Sequence, residues 1–275
     1  MNLIELCSLL STNYLLLLHT FIIDKKKFPC IINIMKGLVI IPTYNEAINI
    51  DNIIARILSV SEQLEILVVD DNSPDHTALI VDNLSRTNNK IHLIRRPKKM
   101  GLGTAYVLGF DYALKNGYDF VFEMDADFSH DPAELPRFIS HLDGYDLIIG
   151  SRYVQGISVV NWPMKRLILS FFACIFARVV TGVPVKDLTS GFKCYSKKAL
   201  ECVKWQKFTV DGYGFQIQSV FSVHKAGLRI KEIPIIFVER RAGTSKMSRK
   251  IIWEAFWLVW KLRLCSLFRK KWFWK

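Results

Sequence analysis

Asp125 and Asp127 alternate at the end of an apolar stretch, Asp119 to Met124, that reads as an extended strand. Two carboxylates this close are costly unless a cation neutralises them, and hard oxygen ligands suit Mg2+ or Mn2+. Such an ion is commonly held by one or two carboxylates together with substrate phosphates, so the pair points to a phosphate-bearing ligand. Standing alone, the pair would be read as well as a solvated acidic loop. Three further apolar runs, however, also end in polar clusters: Pro42-Thr43-Tyr44-Asn45-Glu46, Asp70-Asp71-Asn72-Ser73-Pro74-Asp75 and Gly150-Ser151-Arg152-Tyr153. Ligands of open α/β sheets bind beyond the carboxyl ends of the strands, so the four clusters are expected on one rim.

Other motifs fall away on inspection. Asp125, Asp127, Ser129 and Asp131 alternate like the start of a calcium loop, but His130 stands where glycine is required and Pro136 where the terminal glutamate belongs. Gly101-Leu102-Gly103 begins like a dinucleotide fingerprint, yet Tyr106 occupies the third glycine position and the motif follows the third strand, so a turn capping a helix fits better. There is no P-loop, no Ser/His/Asp signature and no HExxH. The six cysteines are scattered without a CxxC or Cys/His cluster, which fits neither a zinc site nor a disulfide framework and suggests a reducing compartment.

The elements that must position these groups follow from hydrophobic periodicity. From Lys36 short apolar runs alternate with helical patterns, the mark of an α/β sheet with parallel strands. Strands are expected at Gly37–Ile41, Glu65–Val69, Ile91–Arg95, Asp119–Met124 and Asp146–Ile149. Helices are expected at Ile48–Val60, Thr77–Leu84, Gly101–Asn116 and Pro132–His141. Beyond Gly150 come a long apolar helix at Met164–Thr181 carrying Lys165, Arg166 and Arg178, a helix at Gly214–Lys225, and an extended stretch at Leu228–Val238.

The chain has 275 residues, of which 51% are hydrophobic and 23% charged, and a net charge of +12. That charge is concentrated: residues 240–275 hold eleven Lys/Arg against the single acid Glu254, while the 239 residues before them carry 26 basic and 24 acidic groups. The run IIWEAFWLVWKLRL at 251–264 is too short and too interrupted to span the roughly 20 residues of a bilayer core. Tryptophan beside Lys/Arg suits a helix lying in the headgroup region; a C-terminal core helix with a solvated basic end is the alternative. Nucleic acid is the other partner a basic tail could take, and the near-continuous apolar run argues against it. Residues 1–34 form a hydrophobic N-terminal extension, in which the mostly apolar run Leu3 to Ile23 is followed by Lys25, Lys26 and Lys27. Two readings of it stand side by side: a signal-anchor leaving the main domain on the cytoplasmic side, or an over-extended start before Met35. The expected organisation is therefore the extension 1–34, a catalytic domain 36–250 and a basic aromatic tail 251–275.

The series VIIPTYNE (39–46), VVDDNSPDHT (68–77), RRPKKMGLGTAY (95–106), MDADFSHDP (124–132), GSRY (150–153), DLTSGF (187–192) and ERRAGTSK (239–246) resembles the dolichyl-phosphate (polyprenol-phosphate) mannose synthases, which are inverting GT-A glycosyltransferases. The match runs in order from Lys36 to about Lys250. It implies a Rossmann-like, mainly parallel sheet flanked by helices, with amphipathic membrane-facing helices such as Met164–Thr181. It implies that Pro42, Tyr44, Glu46, Val69 and Asp71 hold the nucleotide of the donor. Asp125, Ala126 and Asp127 would take the donor phosphates, with Asp125 and Asp127 on Mg2+ or Mn2+. Arg152 would lie near a phosphate, and Arg240 and Lys246 would close over the site on a loop. Where some members carry glutamine as a further metal ligand, this chain has Ser129, so water could replace that ligand.

The reaction so implied is mannose transfer from GDP-mannose to a polyprenyl (dolichyl) phosphate, by single displacement with inversion. A lipid monophosphate is already ionised at neutral pH and needs no enzymic base, only cations to offset charge; Arg152, Arg240 and Lys246 are the expected ones, with Asp127 as the central metal-side residue. The Glu-Asp pair and QxxRW motif of processive polysaccharide synthases are absent, and Gly214-Phe215-Gln216 occupies the corresponding region. The expected partners are the donor, the lipid phosphate, a membrane surface (the cell membrane of a prokaryote or the endoplasmic reticulum of a eukaryote, with the site on the cytoplasmic face) and a small membrane-anchoring subunit. The same transfer from another donor such as UDP-glucose, and a non-catalytic nucleotide-binding subunit, are the alternatives.

Overall fold

A computed structural model describes residues 35–208, 210–239 and 249–267. Its strands are β1 (Gly37–Thr43), β2 (Leu64–Asp70), β3 (Ile91–Arg95), β4 (Phe120–Glu123), β5 (Leu147–Ser151), β6 (Val159–Val160), β7 (Lys193–Ser196), β8 (Ile230–Pro234) and β9 (Phe237–Val238). Seven of them form one sheet in the order β3-β2-β1-β4-β7-β5-β8, and β6 pairs with β9 in a small second sheet. All pairings in the large sheet are parallel except those of β7, which runs antiparallel to both β4 and β5.

The near-continuous apolar runs in β1 and β2 are what a strand buried on both faces requires. Because successive side chains point to opposite faces, Leu38, Ile40, Leu67 and Val69 enter one core and Val39, Ile41, Ile66 and Val68 the other. The second core is closed by α1 (Ile50–Val60), α2 (Thr77–Thr87) and α4 (Leu135–Ile139). Ile50, Ile53, Ile54 and Ile57 of α1 make the helical stripe that buries there. The first core is closed by α3 (Leu102–Lys115), α5 (Met164–Thr181), α6 (Lys197–Cys202), α7 (Gly212–Lys225) and α8 (Arg249–Leu267). The expected α/β class with a mainly parallel sheet is therefore found.

Two expectations change. The helix expected at Pro132–His141 is a 3-10 turn at Pro132–Glu134 followed by the short α4, with Pro132 and Pro136 each near the start of its segment, where a missing N–H costs nothing. The strand β7 was not foreseen. Lys193-Cys194-Tyr195-Ser196 lacks the apolar alternation of a core strand, yet Lys193 and Tyr195 are fully buried, and Lys193 sits in register opposite Glu123 of β4.

The apolar run 251–264 lies within α8. Leu258, Val259, Leu262 and Cys265 face inward, whereas Trp253, Trp257, Trp260, Leu264 and Leu267 are exposed at helical spacing. Phe256 stacks on Phe176 of α5 with ring centroids 5.1 Å apart, and α5 exposes Met164, Ile168, Leu169, Phe172 and Val179. No helix among the described residues is long and apolar enough to cross a membrane.

The turn before α3 depends on one glycine. Gly101 has φ +98°, and a β-carbon there would lie 2.3 Å from Asp211 Oδ2, while Gly103 N–H donates to Asp211 Oδ1 at 2.6 Å. Gly101→Ala is expected to destabilise the fold by about 1–3 kcal/mol through backbone strain and this clash, read as a lower urea midpoint.

Candidate active site

The strand order reverses between β1 and β4, so the loops leaving their carboxyl ends diverge and open a crevice. A cleft of about 480 Å³ occupies it. One wall is built from the loops after β1 and β2, which are laced together. Thr43 Oγ1 and Ser73 Oγ both donate to Asp70 Oδ1, at 2.8 and 2.6 Å. Asn45 N–H donates to Ser73 Oγ, Glu46 N–H to Thr77 Oγ1 and Ala47 N–H to Asp75 Oδ2. Asn45 and Asn72 sit at φ 63° and 56°, left-handed conformations that asparagine tolerates best among residues with a side chain. Asp70 and Asp75 are thus committed to shaping the loops, which leaves Pro42, Tyr44, Glu46 and Asp71 on the cleft surface.

Asp71 is itself held. Arg96 Nε lies 2.5 Å from its Oδ1, off the line of the N–H and so an ion pair rather than a hydrogen bond. Met100 N–H donates to Asp71 Oδ2 at 3.1 Å. Arg96 also donates to Thr104 Oγ1 and to the Gly101 carbonyl, which fastens the turn before α3 to the wall formed by the loops after β1 and β2. Val69 is fully buried in β2 and its side chain belongs to the core, not to the cleft.

Asp125, Ala126 and Asp127 form the floor. After them the chain doubles back through Phe128 at φ 58°, a costly conformation for a bulky side chain, and Ser129 N–H donates to Asp127 Oδ1 at 3.1 Å. This turn buries Ser129, whose hydroxyl has no hydrogen-bond partner. No group of three His, Cys, Asp or Glu side chains suited to a metal occurs among the described residues. Two aspartates and an unspent hydroxyl fit a hard divalent cation that completes its shell with substrate phosphates and water, and do not fit a closed protein cage.

The far wall holds Arg152, Arg166, Thr189, Gly191, Gln216 and Phe237. Arg152 is 5% exposed. Its Nε and Nη2 donate to the two oxygens of Asp187 at 2.7 and 2.6 Å, and Nη2 also reaches Thr189 Oγ1 at 2.7 Å. Burial alone would weaken the guanidinium's charge; Asp187 more than reverses that and is itself held below the usual carboxylate range. Arg152 therefore reaches the cleft with its charge already answered inside the protein. Arg240 and Lys246, the other expected cations, lie outside the described residues.

Sequence reasoning passed over several cleft residues. Arg166, at the start of α5, pairs with Glu239 and lies 4.2 Å over the Trp162 ring. Lys99, also on the cleft surface, sits 4.3 Å over the Tyr44 ring. His130 is buried, stacked on Phe192 with centroids 4.9 Å apart and edge-on to Phe237 at 5.4 Å. Arg166 had a signal, a charge on an otherwise apolar helix. Lys99 and Gly191 lay within quoted motifs without a role, and Gln216 was named only for the region it occupies; neither Gly191 nor Gln216 was placed beside the aspartates.

His130 gives a pH dependence. Burial pushes its imidazole down to about 4, with Asp127 opposing and Arg152 reinforcing the shift. The unfolded chain then binds a proton between about pH 6.5 and 4 that the folded chain refuses, so folded stability falls as pH drops through that window. The urea midpoint is expected to decline from pH 7 to 4.5 in the wild type and to decline less in His130→Phe.

Comparison with known proteins agrees with this architecture. The chain is 44% identical over 232 residues to a polyprenol monophosphomannose synthase of Mycolicibacterium smegmatis, covering 83% of this chain and 88% of that protein. It is 41% identical over 221 residues to an undecaprenyl-phosphate mannosyltransferase of Micrococcus luteus, covering 80% and 91%. Among solved structures, a glucosyl-3-phosphoglycerate synthase from Mycobacterium tuberculosis in complex with Mn2+, UDP-glucose and phosphoglyceric acid aligns with a TM-score of 0.61 at 19% identity, over 82% of this chain and 80% of that one. A mannosyl-3-phosphoglycerate synthase from Rubrobacter xylanophilus aligns with a TM-score of 0.54 at 16% identity, over 86% and 75%. These two likenesses bear on the fold, which is the GT-A arrangement. The model described as glycosyl transferase family 2 matches residues 38–204, a span that takes in β1 through β7 and the floor of the cleft, and the chain belongs to that family.

Proposed function

We propose that the chain transfers mannose from GDP-mannose to a polyprenyl phosphate, with inversion at the anomeric carbon. The observation that carries this reading is the order of the strands that feed one cleft: β2 and β1 with Asp71 and Tyr44, then β4 with Asp125 and Asp127, then β5 with Arg152, joined by Arg166 where α5 begins. The exposed apolar residues of α5 and α8 lie on the same helices that deliver Arg166 and close the first core. The names of the mycobacterial and Micrococcus relatives support both the sugar and the lipid phosphate.

Asp125 and Asp127 would hold Mg2+ or Mn2+, with the Ser129 hydroxyl within the same turn. Bound there, the ion would offset the charge that develops on the departing diphosphate. The acceptor phosphate is an anion at neutral pH, so one of its oxygens can attack the anomeric carbon without a base. The new carbon–oxygen bond forms as the bond to the β-phosphate of GDP breaks, and attack from the opposite face inverts the centre. What the chain must supply is positive charge for two anions brought together. Arg166 is placed for this at the cleft wall, and its partner Glu239 is the residue just before Arg240. Arg240 and Lys246 are proposed to add their charges on the acceptor side, while Arg152, fixed by Asp187, shapes the wall.

The same reading puts α5 and α8 against a membrane surface on its cytoplasmic face, with tryptophans at headgroup depth. Flotation with vesicles containing anionic lipid is expected to carry the chain upward, and replacing Trp253 and Trp257 together with serine to reduce that fraction.

A panel of radiolabelled nucleotide-sugars with one polyprenyl phosphate tests the donor. Transfer from GDP-mannose is expected and transfer from UDP-glucose is not; the opposite result overturns the donor assignment. Asp127→Ala is expected to lower kcat by roughly 10²–10³-fold, as loss of charge stabilisation at a reacting phosphate does. Arg240→Ala or Lys246→Ala should lower turnover even with a soluble short-chain acceptor in detergent. Unchanged turnover there would confine both to membrane attachment.

A further inference from the structure

Gly191 leaves a notch in the far wall of the cleft. Its φ is not in the left-handed range, so the backbone does not require glycine there. A β-carbon at this position would lie 3.7 Å from His130 Cε1, 3.8 Å from Asp125 Oδ2 and 3.9 Å from Gln216 Nε2. These are ordinary contact distances, so a methyl group would fit without a clash and would fill the space. The glycine therefore keeps a small volume open between the floor of the cleft and the side chain of Gln216.

Gln216 presents an unspent donor to that volume. It is 3% exposed, and its Nε2 has no hydrogen-bond partner. A buried amide donor left unsatisfied is costly, so its presence at a cleft wall calls for an acceptor that arrives with a ligand. The orientation of the carboxamide is fixed from behind. Lys193 Nζ donates to Gln216 Oε1 and, at 3.1 Å, to Ser219 Oγ. An ammonium has only donors, so the amide oxygen must face Lys193 and the NH2 must face away from it. Glu123, 3.8 Å from Lys193, is the rival acceptor and feels the amide as a donor, but neither of its oxygens meets hydrogen-bond geometry with it, and an NH2 carries two hydrogens, so one is left for a ligand.

Position along the cleft says what the acceptor is. In the sheet, β1 and β2, whose loops carry Pro42, Tyr44 and Asp71, lie on one side of β4 with its Asp125 and Asp127, and β7, which Gly191 precedes, lies on the other; all of these residues line the cleft together with Gln216. With the diphosphate at the two aspartates, the next unit of the donor is the sugar ring. We infer that Gln216 Nε2, oriented by the buried Lys193, donates a hydrogen bond to a hydroxyl of the hexose being transferred, in a notch that Gly191 keeps open. This rests on the reading of the cleft as a nucleotide-sugar site and adds the residues that read the sugar.

The test separates sugar from nucleotide. Binding of GDP and of GDP-mannose is measured by calorimetry with MgCl2 for the wild type, Gln216→Met and Gly191→Ala, alongside kcat and KM. Gln216→Met is expected to weaken GDP-mannose about fivefold to tenfold, the worth of one neutral hydrogen bond, while GDP changes less than about twofold. Gly191→Ala, which fits the fold without a clash, is expected to show the same selectivity, with KM for the donor raised. Wild-type affinity for GDP-mannose in both variants overturns the inference. So does an equal loss of GDP and GDP-mannose with a lower melting temperature in Gln216→Met, which would assign Gln216 to supporting Glu123 and Lys193 alone. A wild type that uses another nucleotide-sugar refutes the donor assignment instead, and the same comparison is then scored with that nucleotide and its sugar. A wild type that binds no nucleotide-sugar overturns both.

Discussion

The carboxyl ends of the central strands gather acids, and each buried acid has to be answered by a cation or by donors. Asp71 is met by Arg96, Glu123 by Lys193 and Asp187 by Arg152, and the partly exposed Glu239 by Arg166. In every pair the two partners come from different elements. A buried ion pair contributes little net stability, because desolvation offsets most of the Coulomb attraction, but breaking one strands a charge and is costly. The pairs thus act as fasteners. Arg96 ties the turn before α3 to the loop after β2, Arg152 ties the end of β5 to the loop before β7, and Arg166 ties α5 to the residue following β9. The cleft keeps its width because its walls are joined by charges that cannot separate cheaply.

That constraint explains what was legible in the sequence and what was not. The parallel strands were readable because burial on both faces leaves long apolar runs, as in GLVII and EILVV. The site residues attached directly to those runs, from Pro42 to Glu46 and from Asp125 to Asp127, were readable for the same reason. Strand β7 was hidden because its interior is polar: Lys193 and Tyr195 are buried there to serve Glu123 and Ser219, and a period-two hydrophobic pattern never forms. Gly191 and Gln216 were hidden because β7 and α7 bring them to the floor from far along the chain. Arg152 was seen, but its commitment to Asp187 was not, since an ion pair across 35 positions leaves no local trace.

The C-terminal run shows a different limit. As a sequence, 251–264 is apolar on nearly every face, which fits a core helix and a membrane-surface helix alike. In the fold the faces divide. Leu258, Val259 and Leu262 complete the first core, while three tryptophans and two leucines remain outside in one stripe. The core-helix reading holds for the inward side, and the outward stripe is what the proposed membrane-surface reading rests on.

This division bears on how a lipid phosphate could meet a water-soluble donor. The acceptor carries its charge at one end of a hydrocarbon chain, so its phosphate must enter a polar cleft while the chain stays in an apolar medium. A cleft buried deep in a soluble body would force the chain through water. Here α5 contributes Arg166 to the cleft wall at its first turn and exposes Ile168, Phe172 and Val179 further along. Ile168 and Phe172 follow Arg166 by roughly 3 and 9 Å along the helix axis, so the two environments adjoin. Under the proposed reaction, a phosphate drawn by the cations of the wall would reach the donor without its lipid leaving the apolar face. In that geometry the anion arrives already charged, and the chemistry asks for compensation of charge where most sugar transfers ask for a base.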